Sequence, residues 1–134
     1  MKLTVLAVGR LRPPYADDVE HYLKLLRPIK LEHVEVRGEE QVAARLPERA
    51  FVVMLDDAGR ELDSVGFAGW IEERRHAGRD VVFVVGGAFG LELERADMKL
   101  SLGRMTLPHQ LARVVLLEQL FRAHKILANE PYHH

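Results

Sequence analysis

Two glycine-bearing loops and one histidine set the chemistry open to this chain. Leu102-Gly103-Arg104-Met105-Thr106-Leu107 has no acidic residue and one cation, and it is closed by Pro108 and followed by His109. Apolar side chains around exposed main chain suit an aromatic base read by backbone hydrogen bonds better than a phosphate. An ordinary loop at the edge of a core is the plainer reading. Gly86-Gly87, at the head of Gly86-Gly87-Ala88-Phe89-Gly90, leaves main-chain groups free to approach a ligand. The same pair also makes a tight strand-to-helix turn. It is neither G-x-G-x-x-G nor a phosphate loop with a Lys-Ser/Thr pair, which disfavours dinucleotide and triphosphate sites.

His109 stands either as a solvent-exposed helix-start residue or as an acid/base or RNA contact at the mouth of a pocket. Further along, Arg122 has Glu118 one helical turn before it, whereas Arg113 has no such carboxylate. An unpaired arginine near the loop is expected to face an anion outside the protein. His133 and His134 read as a tag remnant or a loose tail. With no cysteine and no histidine–carboxylate set at ligand spacing, no metal is expected.

These residues need elements to hold them. Lys2 to Val8, Phe51 to Leu55 and Val81 to Val85 are mostly apolar runs, as in strands buried on both faces of a parallel sheet. Leu31 to Val36 alternates apolar and charged residues, like an edge strand. Leu100-Ser101-Leu102 makes a last short strand. Helices are expected over Tyr15–Leu26 after Pro13-Pro14, over Val65–His76 behind a Ser64 cap, over Glu92 to about Met98, and over Gln110–Leu127, with a weakly helical Gly38–Arg45. Asp56-Asp57-Ala58-Gly59 has turn composition. The alternation predicts an α/β domain spanning residues 1–134, a mostly parallel five- to six-stranded sheet with helices on both faces, and ligand binding outside the carboxyl ends of the strands.

The last helix presents Val114, Leu117 and Phe121 on one face and Ala112, Leu116, Leu120, Ala123 and Leu127 on another. Two apolar stripes predict burial against the sheet on one side and against a second copy of the chain on the other.

At 134 residues and 48% hydrophobic, the chain can bury one real core. Its apolar start is too short for a secretory segment or a membrane span, and it has no disulfides to form, so a cytoplasmic location is expected. Net charge is −1, unlike a typical nucleic-acid binder, but residues 1–37 carry +2, residues 38–98 carry −6 and residues 99–134 carry +3. The basic ends would make an anion-facing surface where they meet.

Val85-Gly86-Gly87-Ala88-Phe89-Gly90-Leu91, the run Leu102 to Val114 with its Leu107-Pro108-His109-Gln110-Leu111, Glu118-Gln119-Leu120-Phe121-Arg122-Ala123 and the ending Asn129-Glu130-Pro131-Tyr132-His133 together resemble the RlmH family. These are SPOUT-class methyltransferases of bacterial large-subunit ribosomal RNA. Met1-Lys2-Leu3, Ala7-Val8-Gly9 and Leu55-Asp56 fit as well, so the likeness covers nearly the whole chain. It implies a trefoil-knotted α/β fold, a homodimer, S-adenosylmethionine as methyl donor, and N3 of a pseudouridine in 23S rRNA, within an assembled ribosome, as acceptor. No pattern in the residues predicts a knot, since true knots are nearly absent from proteins.

By the same resemblance the cofactor pocket falls on Leu55, Gly86, Gly87, Leu102, Gly103, Arg104, Met105, Thr106 and Leu107. The RNA side falls on His109, Arg113, Arg122, Tyr132 and His133. His109, Arg113 and His133 are the candidates for general base or for stabilising the imide anion, with the choice among them open. The chain departs from the family in a short Gly38–Glu48 segment and in ending Tyr132-His133-His134, where an arginine often follows.

The rival class is a non-catalytic, flavodoxin-like receiver or ligand-sensing module with Asp56 as phospho-acceptor. Such a module needs acidic residues after the first strand to hold Mg²⁺, and Val8-Gly9-Arg10 stands there instead.

Overall fold

The structure is a computed structural model that describes residues 1–87 and 91–133. Ala88-Phe89-Gly90 and His134 lie outside the described residues. The elements run β1 (Leu3–Val8), α1 (Tyr15–Leu25), β2 (Leu31–Val36), α2 (Glu40–Ala44), β3 (Phe51–Glu61), α3 (Ser64–His76), β4 (Val81–Val85), β5 (Met98–Ser101) and α4 (His109–Leu127). The strands form one five-stranded sheet in the order β2-β1-β4-β3-β5, with every pair parallel.

Alternate residues of the central strands feed two cores, which is why these strands read as mostly apolar runs. Leu3, Val5, Ala7, Val81, Phe83 and Val85 face α1, α3 and α4, where Val19, Phe67, Trp70, Leu116 and Leu120 meet them. Leu6, Val8, Val52, Met54, Val82 and Val84 face the other way, under Val42 of α2 and Leu91, Leu93 and Ala96 of an irregular strap. The helix layer is therefore deep on one face and thin on the other. Crossovers β1→β2 and β3→β4 move one way across the sheet over the first face. Those from β2 to β3 and from β4 to β5 move the opposite way over the second. All four connections thus share one hand, as right-twisted parallel strands favour.

Three expectations are corrected. Residues 91–97 are not helical. Leu91 and Leu93 sit two apart on the second core, and Asp97 clamps Val52, its carboxylate taking the Val52 N–H at 2.8 Å and its own N–H reaching Val52 O at 2.8 Å. A side chain that pairs with the neighbouring strand in this way competes with helix formation. The Asp56–Gly59 turn composition marks a bulge rather than a strand end. Leu55 and Arg60 both register against Leu100, and β3 continues to Glu61. A Cβ on Gly59 would lie 2.6 Å from the Lys99 carbonyl carbon, so only glycine lets the bulged strand come this close to β5. Asp63, not Ser64, caps α3, accepting the Gly66 N–H at 2.7 Å.

Helix α4 lies between α1 and α3 on the deep face. Leu116, Leu117, Leu120, Phe121 and Ala123 all join the one core. The middle of both apolar stripes is thus covered inside the chain, while Ala112 and Val114 are half-buried and Leu127, at the end of the helix, is exposed. No helix among the described residues is long and apolar enough to cross a membrane.

Candidate functional site

Because all five strands are parallel, their carboxyl ends gather at one edge, and a cavity of about 910 Å³ opens there. Leu55 of β3, Gly86 and Gly87 after β4, and Leu102, Gly103, Met105, Thr106 and Leu107 after β5 all line it, as does His109. Arg104, also expected in the pocket, is exposed and lies outside the lining. Glu39, Asp56, Asp57 and Glu92 add carboxylates to a wall that otherwise carries only His109 as an ionisable base.

The loop that closes the cavity is held from both ends. Buried Ser101 Oγ accepts the Gly103 N–H at 3.1 Å and lies 2.7 Å from Gly103 O and 3.2 Å from Asp57 O. Thr106 Oγ1 donates to Asp57 Oδ2 at 2.7 Å. Gly103 has φ +147°, a conformation that excludes an ordinary side chain. The loop is shaped by the β3 bulge as much as by its own sequence.

His109 begins α4 behind Pro108, half-buried at the cavity wall. Burial, then the charges of Arg113 and Arg12, hold its pKa below the ordinary histidine value. A neutral imidazole at pH 7 has a lone pair with which to accept a proton.

Arg113 departs from its expectation of an unpaired, outward-facing cation. Its side chain is fully buried. Nη1 lies 2.5 Å from Glu35 Oε2 on β2 and 3.4 Å from His33 Nε2, and Nη2 donates to Gly9 O at 3.1 Å. Its Nε has no acceptor among the described residues. Spacing along one helix cannot reveal a partner 78 residues away on an edge strand.

Buried Gln110 completes this network. Nε2 donates to Arg10 O at 2.8 Å, and Oε1 accepts the Arg12 N–H at 2.9 Å. Glu35 Oε2 also takes the Leu11 N–H at 3.0 Å. Neither Glu35 nor Gln110 stood out in the sequence. A second glutamate on an alternating edge strand and a glutamine in the first turn of a core helix were the only signals.

The remaining expected site residues form a separate cluster at the other end of α4. Arg122 pairs with Glu118 at 2.6 Å, as their spacing predicts, approaches His133 Nδ1 at 3.1 Å and stacks over the Tyr132 ring at 4.8 Å. Tyr132 donates to Glu118 Oε2 at 3.0 Å. Thirteen residues of helix at 1.5 Å per residue separate Arg122 from His109 by about 20 Å. Within one chain His109 and His133 are therefore not brought together. Among the described residues no group of three or more His, Cys, Asp or Glu side chains gathers to hold a metal ion.

The strand order also separates this sheet from the rival class, because a flavodoxin-like sheet runs 2-1-3-4-5 whereas here β4 lies inside β3. Comparison with known proteins agrees with that separation. A family model described as predicted SPOUT methyltransferase matches residues 1–133. Proteins named ribosomal RNA large subunit methyltransferase H are similar over nearly their whole length. That of Carboxydothermus hydrogenoformans is 40% identical, and one from Anaeromyxobacter is 47% identical, each alignment covering 99% of both chains. That of Nitratidesulfovibrio vulgaris is 44% identical over 98% of this chain and 97% of the relative. These alignments span 152 to 158 positions, more than the 134 residues here, so the relatives hold residues that this chain lacks.

Proposed function

This chain belongs to the SPOUT methyltransferase family, and on that premise we propose that it methylates 23S ribosomal RNA of the large subunit, transferring the methyl group of S-adenosylmethionine to N3 of a pseudouridine. The observation that carries the reading is that eight of the nine cofactor positions implied by family resemblance meet at one cavity, with His109 on the same wall.

The cavity fits the cofactor's chemistry. Its size suits a nucleoside-bearing ligand. Glu39, Asp56, Asp57 and Glu92 suit the positive sulfonium and amino groups, and the main chain of the Gly103 loop offers groups for the adenine edge. When bound, S-adenosylmethionine supplies an electrophilic methyl group. The protein's work is then to align the acceptor nitrogen and exclude water. A pseudouridine imide is a poor nucleophile until N3 loses its proton, and we assign that proton to His109, whose lowered pKa, from burial and then the Arg113 and Arg12 charges, and position on the cavity wall support the role.

The active form is a homodimer, and the cytoplasm, where ribosomes are, is its place of action. Met105 at the cavity loop and Val65 in the first turn of α3 are 85% and 56% exposed, large apolar groups that a second copy would cover. The Arg122–Tyr132–His133 cluster lies far from its own cavity, and a partner is the means by which it would reach one.

The test is calorimetric titration with S-adenosylmethionine followed by transfer of labelled methyl groups to ribosomes that lack the modification. Saturable 1:1 binding per chain, with label in one nucleotide of 23S rRNA, is expected. Absence of binding to the folded protein would remove the reading.

A further inference from the structure

Arg113 being paired, exposed cations near the His109 corner stand instead on the loop that α4 fixes. Residues 9–12 follow β1, and the buried side chains of Arg113 and Gln110, with the partly exposed Glu35, hold their main chain at four points. Arg113 binds Gly9 O, Gln110 binds both Arg10 O and the Arg12 N–H, and Glu35 binds the Leu11 N–H. Burying an arginine and a glutamine is costly unless their hydrogen bonds are used, and here most of them are spent on immobilising this one loop. Arg10 and Arg12 are exposed, with no carboxylate within 4.0 Å and no side-chain hydrogen bond among the described residues.

Their position is specific. Arg12, Tyr15, Pro108, His109 and Gln110 line a recess of about 290 Å³, and Pro108 and His109 also belong to the wall of the large cavity. The recess and the cavity are thus two sides of the His109 corner. The nearness of Arg12 is felt there, since its charge helps to depress the His109 pKa.

We propose that Arg12, with Arg10 beside it, is a phosphate clamp that grips the RNA backbone next to the acceptor nucleotide, with the recess against Tyr15 and His109 as the path by which that nucleotide enters. A fixed backbone favours the clamp, because no main-chain freedom remains to be lost on binding and only the arginine side chains have to be ordered. Phosphate contacts fix register without reading sequence, so the clamp positions N3 and leaves identity to the fold of the RNA. The proposal rests on the RNA methyltransferase reading of the site.

The experiment compares full-length wild type with Arg12→Ala, Arg10→Ala, the double variant and Arg12→Lys. It measures affinity for unmodified ribosomes across a salt series, steady-state methyl transfer, S-adenosylmethionine affinity and oligomeric state. Each alanine should flatten the slope of log affinity against log salt by about 0.7 to 0.9, one phosphate contact. The double variant should raise KM for ribosomes at least about tenfold with cofactor affinity unchanged, and Arg12→Lys should restore most of the slope. Wild-type slope and KM in the double variant would overturn the clamp, as would a change in oligomeric state or cofactor affinity, which would make the arginines structural. If wild type transfers no methyl group, the enzymatic reading fails on its own, and the salt series still reports whether these arginines bind RNA.

Discussion

Arg113 Nη1 and Glu35 Oε2 lie 2.5 Å apart, joining the first turns of the last helix to an edge strand near the other end of the chain. The guanidinium is fully buried and the carboxylate 34% exposed, so the arginine depends on the glutamate more than the reverse. Leaving a buried charge unpaired costs about 3–5 kcal/mol. Glu35→Ala should cost about 3 kcal/mol, the low end, because water can reach the vacated position, and Arg113→Ala should destabilise as well as impair catalysis. Urea midpoints measure this, and a Glu35→Ala midpoint equal to wild type would show that the pair contributes nothing.

Thr106 and Asp57 form a second long-range link, at 2.7 Å, between the cavity loop and the β3 bulge. Thr106 is exposed, so the fold has little stake in it. Thr106→Val keeps the shape and removes the hydroxyl, with a loss of about 1 kcal/mol in loop order. S-adenosylmethionine affinity should fall roughly fivefold while the melting temperature holds. Titration and melting on the same sample decide it, and unchanged affinity would mean the loop is held without this bond.

The sequence legibly carried what is periodic or local. Five strands, the long helices and the loop Leu102–Leu107 follow from apolar runs, caps and Pro108, and the Glu118–Arg122 pair follows from helical spacing. What it hid depends on neighbours distant in the chain. Residues 91–97 lose their helix to Asp97 on Val52, the turn at Asp56–Gly59 becomes a bulge because β5 needs β3 beyond it, and Arg113 turns inward to Glu35. That the last helix starts beside His109 could be read from the sequence, but not whether the imidazole faces solvent or the cavity. The loop 9–12 behind it could not, since its four anchors come from β2 and α4.

Gly103 and Gly87 both line the cavity but should respond differently to alanine. Gly103 has φ +147°, so Gly103→Ala is strained even though nothing crowds its Cβ, at a cost of roughly 1–3 kcal/mol and with weaker cofactor binding. Among the described residues a Cβ on Gly87 would meet Val8 alone, with Cγ1 at 3.4 Å and Cβ at 3.9 Å, ordinary contacts, so Gly87→Ala should fold with near wild-type stability. Denaturation curves for the two variants check the contrast, and equal losses would contradict it.

If His109 takes the acceptor proton, its depressed pKa places the acidic limb of the pH–rate profile below 6.5. Methyl transfer should rise with pH through that limb and level off near neutrality. His109→Ala should abolish the limb and lower kcat by about 10²-fold or more, the usual share of a general base. A variant that keeps the limb and most of the rate would move the base elsewhere.

The same physics bears on stability through two histidines. His33 is held below 6.5 chiefly by burial and then by the Arg113 charge, against the opposing pull of Glu35, and His109 is held down by burial, Arg113 and Arg12. Both native-state values lie under the unfolded value. Between that value and the native one, the unfolded chain binds more protons, so acidification favours unfolding. The melting temperature should therefore fall as pH drops from about 7.5 through 6.5, where both groups begin neutral. Glu32, Glu72 and Glu130 are all pushed below 4.5, so their loss begins at lower pH and does not enter this window. His33→Gln should flatten the melting curve against pH between about 7.5 and 5.5, and His33→Gln with His109→Gln should flatten it further. A double variant with the wild-type slope would place the acid sensitivity outside the Arg113 network.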